Sequence, residues 1–480
     1  MRHTSPVHVP DAPRLSGAPR LADGFERVRD ELELPEEFPQ PVLEEAERVA
    51  APPAVPRADR TDLPLLTVDP PGSMDLDQAL CIEQRPSGFR VWYAIADVGA
   101  FVRPGGEIDR EARVRGETVY MPDTRVPLHP PVLSEGAASL LPGVVRPAAL
   151  WCLDLDAEGR TVGADVSRAL VRSRERLDYD YVQAAVDTGT ADDTLRLLAV
   201  VGALRLELER ERGGVSLPTP DQEVVPFGDG YRLEFRTPLP AETWNAQISL
   251  MTGMAAAAMM LDAEMGVLRT LPAAPPDTLA TVRRVAAALG VPWPDGDGFG
   301  EVVRALDPKV PANAAFLKES AALLRGAGYT AFNGEPPKDA SHAAVAAPYA
   351  HVTAPLRRLV DRYGTEVCLA VAEGVPVPEP VQEALEELPA LMTGSGRRAS
   401  AAERACVDLV EAFVLRDRVG QTFDAVVVDA EQGRPGGVVQ VADPAVIARC
   451  DGDALPLGEK VQVRLTRADL ATREVRFTLA

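Results

Sequence analysis

Lysine is almost missing from this chain. Of its 50 basic residues only Lys309, Lys318, Lys338 and Lys460 are lysine. The remainder is arginine, whose planar fork suits bidentate phosphate recognition, so the shortage removes nothing a phosphate-handling protein needs. Cysteine is also sparse: Cys81, Cys152, Cys368, Cys406 and Cys450 are odd in number and far apart, with no CxxC pair. That excludes a disulfide framework and a structural zinc site of the usual spacing. The longest apolar stretch, Ile248 to Leu261, falls short of the roughly 20 residues a membrane span needs and reads as a buried helix. The first residues, MRHTSPVHVPDAPRL, carry no apolar signal core, so a cytoplasmic location is expected. No HExxH, GxSxG, Walker loop or GxGxxG is present.

Positive charge is in the minority. The net charge is −22 over 480 residues, which argues against nucleic-acid binding through overall charge. Only the field inside a binding groove matters to a ligand, so a channel lined by arginine within an acidic exterior stays open. The length allows two to four folded units.

Texture divides the chain. The first twenty residues are rich in proline and polar groups and are expected to be disordered. Phe25, Val28 and Leu32 lie at helical spacing, as do Val42, Leu43, Ala46 and Val49, with Pro41 expected as a first helical residue. The proline-rich APPAVPRADR reads as a linker. Strand-like runs follow from Thr61 to about Leu155, and helices from about Thr194, with strands around Tyr231. LMTGSGRRAS, residues 391–400, reads as a loop before a further helix. After Gly420, short alternating strands fit a five-stranded OB-type barrel, with Val461, Val463 and Leu465 on one side, as are Val475, Phe477 and Leu479.

Two segments could carry chemistry. In LLTVDPPGSMDLDQAL, Asp69 ends a strand and Asp75 and Asp77 follow an irregular Pro-Pro-Gly loop. Three carboxylates on one loop could grip Mg²⁺, which takes oxygen ligands and keeps waters; an acidic surface turn is the plainer alternative. In HAAVAAPYAHVTAPLRRLVDRYG, Thr353 is a plausible N-cap and Pro355 a first helical residue, which puts Arg357 and Arg358 in a helix's first turn. Two guanidinium groups at a helix N-terminus suit a phosphate; a solvated pair matched to Asp361 is the alternative. His342 and His351 lack metal spacing and read as satisfied histidines. Tyr120 and Trp92 could stack on bases, with core packing the default.

Read together, these segments resemble the ribonuclease II (RNB) family of exoribonucleases. TVDPPGSMDLDQAL is similar to the family's acidic signature, and the stretch from YAIADVGAFVRPGGEID to SEGAASLLPG is similar to its next block. HAAVAAPYAHVTAPLRRLVDRYG resembles the Tyr…Thr-Ser-Pro-Ile-Arg-Arg block, with Ala354 and Leu356 as variants. LPEEFPQPVLEEAERVA is similar to the lead-in segment, and the last sixty residues or so resemble the ribosomal S-one type of OB domain. The resemblance implies an α+β multidomain protein: a disordered start and short helical lead-in over 1–57, an RNB catalytic domain with a mixed sheet and surrounding helices over 58–419, and an OB-fold RNA-binding domain over 420–480.

It further implies hydrolysis of single-stranded RNA from a free 3′ end to 5′-monophosphates, by a monomer using Mg²⁺, with Mn²⁺ as a possible substitute. Asp69, Asp75 and Asp77 match metal-site positions, and Asp77 is the one most tied to catalysis. Arg357 matches the phosphate-engaging arginine, Arg358 its RNA-binding neighbour, and Tyr120 the aromatic that stacks on the terminal base. Three departures stand out. The family's fourth aspartate is Gln78 here, a possible weak ligand through its carbonyl oxygen, and the lost carboxylate is expected to weaken binding of at least one cation. The second base-clamping aromatic is missing near VLRTLPAAPPDTL. The lead-in is too short for two cold-shock barrels of about sixty to seventy residues each. A catalytically weakened RNA-binding protein of the same fold is the alternative function.

Overall fold

The computed structural model describes residues 19–51, 58–228, 230–430 and 435–480. The expected disordered start and most of the proline-rich linker lie outside them.

A seven-stranded sheet forms the centre, built from β1 (Ala58–Asp59), β2 (Leu66–Val68), β3 (Gln78–Arg85), β4 (Gly88–Ala96), β7 (Val145–Asp156), β8 (Thr161–Arg172) and β9 (Glu175–Leu177), in the order β1-β8-β7-β4-β3-β2-β9. A short hairpin, β5 (Val119–Tyr120) and β6 (Arg125–Val126), stands apart from it. β3, β4, β7 and β8 pair antiparallel in sequence, as chain-adjacent strands do, while β1 joins β8 and β2 joins β9 in parallel. Both sheet faces are covered, so β4 and β7 read as near-continuous apolar runs, and Tyr93 and Trp151 are fully buried.

One cover is the Pro240–Asp262 helix, apolar on nearly every side and therefore a core helix. It carries the Ile248–Leu261 stretch and buries Ile248, Met251, Ala256, Ala257 and Met260. The Leu359–Glu373 helix is a second cover, with Val360, Tyr363 and Val367 buried. Three further two-stranded antiparallel sheets are β10 (Asp221–Phe227) with β11 (Gly230–Arg236), β12 (Met265–Thr270) with β13 (Gly328–Asn333), and β14 (Ser341–His342) with β15 (Ala347–Pro348).

Residues 391–400 are not a loop. A single helix runs from Leu388 to Leu415 straight through GSG. The helix crosses the chain closely at Gly116, where a Cβ would lie 2.5 Å from the Ser395 Cβ. Tertiary packing thus overrides the poor helix propensity of Gly394 and Gly396. The lead-in helices, Pro19–Glu31 and Gln40–Val49, are present, the second beginning one residue before Pro41. Phe25 packs edge-on against Tyr231 at 5.6 Å, and Glu45 accepts from the Ile108 amide at 2.8 Å.

The last part is a closed barrel of β16 (Thr422–Asp429), β17 (Gly437–Val441), β18 (Val446–Asp451), β19 (Lys460–Asp469) and β20 (Glu474–Leu479), in the order β16-β17-β18-β20-β19. Val427, Val439, Val463, Leu465 and Phe477 fill it. Its dock on the core includes a polar knot: Glu411 of the Leu388–Leu415 helix accepts from the Ile447 amide at 2.8 Å and from Gln222 Nε2 at 2.7 Å, and Gln222 Nε2 also donates to the Ala445 carbonyl. Among the described residues no helix is long and apolar enough to cross a membrane.

Candidate active site

Three chain segments meet at one edge of the central sheet: the loop from Asp69 to Gln78, the β5–β6 hairpin, and residues 353–358. The loop begins as β2 ends and finishes as β3 begins. Ser139 clamps it in the middle: the fully buried hydroxyl accepts from the Leu76 amide at 3.0 Å and donates to the Met74 carbonyl at 2.6 Å. The Ala96 amide holds the Asp77 carbonyl at 2.9 Å. The hairpin and the arginine segment are tied backbone to backbone, with Thr118 donating to the Arg357 carbonyl at 2.9 Å and Leu359 to that of Gly116 at 2.9 Å.

Asp77 is the centre of this meeting. It is 2% exposed, and one carboxylate oxygen accepts from the Leu356 amide at 2.7 Å while the other faces Arg357 Nε at 3.0 Å. Burial pushes its carboxyl up to about 8, with Arg357 and the Leu356 amide opposing and Asp75 adding to the rise. Asp69 is likewise raised to about 7 by burial, opposed by Arg357, and its Oδ2 is buried without a hydrogen-bond partner. Asp75 accepts from the Tyr120 hydroxyl at 2.8 Å and lies 3.7 Å from Arg125, which also pairs with Glu135 at 2.6 Å.

The arginine pair is divided. Residues 353–358 are not the first turn of a helix; the helix begins at Leu359, and Arg358 is extended at its N-cap position (φ −134°, ψ 127°). Arg358 grips Asp361 with two bonds of 2.8 Å, the second oxygen of that pair also capping the Ala354 amide. The Asp361 match therefore holds for Arg358, whereas Arg357 turns to Asp77. Among the described residues the terminal nitrogens of Arg357 take no partner, so they can meet a phosphate.

Asp69, Asp75 and Asp77 do not form a preassembled three-carboxylate cage. Among the described residues no three His, Cys, Asp or Glu side chains stand where they could hold a metal ion together. Asp75 is drawn to Tyr120 and Arg125, and Asp77 to Arg357. The donor set does fit a Mg²⁺ held by one or two carboxylates and completed by water and substrate phosphate. The orphaned Asp69 oxygen and two carboxyls that would hold protons near neutrality are the features a cation would relieve.

Gln78 is engaged elsewhere. Its Nε2 donates to the Thr353 carbonyl at 2.6 Å, and its Oε1 accepts from the buried Tyr93 hydroxyl at 3.0 Å. Trp92 is remote from the site, bonded to Glu83 and covered by Arg60 at 4.2 Å. His351 bonds the Tyr329 hydroxyl at 2.8 Å. Sequence reasoning missed Arg125, Ser139, Tyr93 and the Leu356 amide. The three side chains lie in the block from Tyr93 to Gly143 already singled out for its resemblance, but pairing partners across 45 to 280 positions are invisible in a linear reading.

The family model for the RNB domain matches residues 57–368. This chain belongs to the RNB family. Residues 421–480 match the model for the RNase II-type exonuclease C-terminal S1 domain, which is the closed barrel. Ribonuclease R of Escherichia coli is 26% identical over 504 residues, covering 93% of this chain and 61% of the relative. The chain thus spans about three-fifths of that relative's length. Among solved structures, Mycoplasma genitalium RNase R in complex with ribose-methylated single-stranded RNA superimposes with a TM-score of 0.87 at 19% identity, covering 97% of this chain and 79% of that one. Yeast Ssd1, described as a pseudonuclease, superimposes with a TM-score of 0.71 at 18% identity, covering 92% of this chain and 57% of that one. At these identities the structures share the fold.

Proposed function

We propose that this RNB protein is a hydrolytic 3′→5′ exoribonuclease that shortens single-stranded RNA to 5′-monophosphates, with Mg²⁺ as cofactor and Mn²⁺ as a substitute. The observation that carries this reading is the buried Asp77–Arg357 pair, fixed by the Leu356 amide at the meeting of three segments. Arg357 spends one nitrogen on Asp77 and offers the others to the scissile phosphate, where it offsets charge developing on the phosphoryl oxygens. Tyr120 is oriented by its hydroxyl bond to Asp75 and presents its ring to the terminal base. Asp69 and Asp77 are the residues that would hold the cation, which when bound supplies Lewis-acid activation of water and phosphate. Arg358 acts by holding the 353–358 segment to Asp361. The work is assigned to a monomer in the cytoplasm, divided at about residues 57 and 420 into lead-in, catalytic core and RNA-binding barrel.

A 5′-labelled single-stranded RNA of about thirty nucleotides, incubated with Mg²⁺ and then Mn²⁺ beside Asp77→Asn, tests this. A ladder shrinking from the 3′ end with the unmodified protein alone supports the reading; intact RNA under both metals overturns it. The second reading, an RNA-binding protein without turnover, is favoured by Gln78, whose amide is spent on Tyr93 and Thr353 rather than adding charge to the site.

A further inference from the structure

A groove of about 760 Å³ lies on the outer surface between the start of β8, the Asp193–Arg212 helix and the second half of the Pro240–Asp262 helix. It is remote from Asp77. The rung that carries Gln78 passes through Ile95 and Ala149 to Arg168, whereas Gly163 at the groove pairs with Asp154 five residues along the same strands. That is roughly 17 Å at about 3.3 Å per residue. Its size falls in the range of small-ligand pockets.

Two arginines line it. Arg205 is 4% exposed; its Nη1 donates to the Gly159 carbonyl at 2.9 Å, while its Nε is buried without a partner. Arg212 reaches the Val345 carbonyl at 3.5 Å through Nε, and its Nη2 is also buried without a partner. Of the nearby carboxylates, Glu209 bonds Gln247 and Ser216, Glu211 pairs with Arg160 at the rim, Asp156 takes the turn amides of Glu158 and Arg160, and Asp262 lines the exposed end. Glu209 acts on Arg212 and Asp156 on Arg205 through space, without a hydrogen bond among the described residues. Burial, with Arg212 adding to it, pushes the Arg205 guanidinium down to about 10. A buried guanidinium beside a half-buried one, each with an orphaned N–H group, is unfavourable unless an anion supplies the acceptors. The facing wall offers Met254 and Met259, half-buried thioethers that pack well on a flat ring, backed by the buried Met251.

We propose that this groove is a second binding site, for a small phosphorylated ligand with a flat apolar body, the class of a mononucleotide. The phosphate sits on Arg205 and Arg212 and the ring lies on the methionines. The guanidinium pair provides charge-assisted, forked hydrogen bonds to phosphate oxygens.

Calorimetric titration of the full chain with adenosine 5′-monophosphate, and separately with inorganic phosphate, tests the proposal. The expected result is one adenosine monophosphate per chain, bound more tightly than phosphate, unchanged in Arg357→Ala and weakened tenfold or more in both Arg205→Met and Arg212→Met. Arg205→Met is expected to fold, because it keeps an unbranched side chain while removing a buried charge; Arg212, at the half-buried rim, serves if it does not. Hydrogen exchange then shows slowed amides at 160–164 and 251–259 on ligand addition. Absence of binding at millimolar ligand overturns the proposal, as does binding lost in Arg357→Ala but kept in the two methionine variants. Equal affinity for phosphate and the nucleotide overturns the role of the methionine wall.

Discussion

Gln78→Asp restores the charge that the family pattern has at this position, and the structure predicts that it harms the protein rather than helping it. The shorter side chain gives up two bonds at once. The Tyr93 hydroxyl, on a fully buried side chain, loses its acceptor at 3.0 Å, and the Thr353 carbonyl loses its donor at 2.6 Å. An orphaned buried polar group costs about 1–3 kcal/mol. Gln78 is half-buried, so water can reach part of the gap, and the sum is about 2–4 kcal/mol. Urea unfolding followed by near-ultraviolet circular dichroism should show a lower midpoint at unchanged slope, by ~1 M for a slope of about 2–3 kcal/mol/M. Because the carboxamide faces Tyr93 and Thr353, the Mg²⁺ concentration for half-maximal RNA cleavage should stay where it is. An unmoved midpoint with a lower Mg²⁺ requirement would refute this reasoning, and Gln78 would then be the weakened metal ligand that the sequence suggests.

Other perturbations follow from the same geometry. Asp77→Asn keeps an acceptor for the Leu356 amide but loses the ion pair with Arg357, so RNA cleavage should fall by at least a hundredfold while RNA binding, read by filter retention, persists. Glu411 is raised by burial from 4.5 to about 7. Its folded carboxyl holds a proton more tightly than the unfolded one, so the stability it contributes is full below 4.5 and is lost as pH climbs through 7. Glu411→Gln should therefore raise the unfolding free energy at pH 8 by up to about 3 kcal/mol and leave it unchanged at pH 4, read from urea curves at the two pH values. Gly116→Ala places a Cβ 2.5 Å from that of Ser395 at a φ of +74°, and should lower stability by about 2 kcal/mol or more, measured by the same unfolding curve. RNA affinity should fall steeply with added salt, since phosphate contacts release counterions.

Much of the fold was legible because local pattern and tertiary role agree. The C-terminal barrel shows as alternation because each of its strands buries one side, with Val463, Leu465 and Phe477 inward. The core helix over Ile248–Leu261 shows as an apolar run because one side is buried in the core and the other lines a partly apolar groove. Legibility failed where small residues serve contacts from distant parts of the chain. Gly394, Ser395 and Gly396 look like a hinge until Gly116 is brought against Ser395. Arg357 and Arg358 look like one cationic pair at a helix start, but the helix begins later and each arginine has its own carboxylate.

By itself, then, the amino-acid order determined the family blocks, the barrel, the lack of a CxxC pair and the identity of the residues from Asp69 to Asp77 and from Arg357 to Arg358. Those properties are carried by spacing within a few tens of residues. Tertiary structure alone decided which carboxylate Arg357 meets, that Gln78 bridges Tyr93 to Thr353, and that Arg205 is buried beside Arg212 with its Nε unpartnered. The physical reason is that charge pairing and hydrogen-bond satisfaction act over about 3 Å in space, between groups that the chain may separate by hundreds of positions.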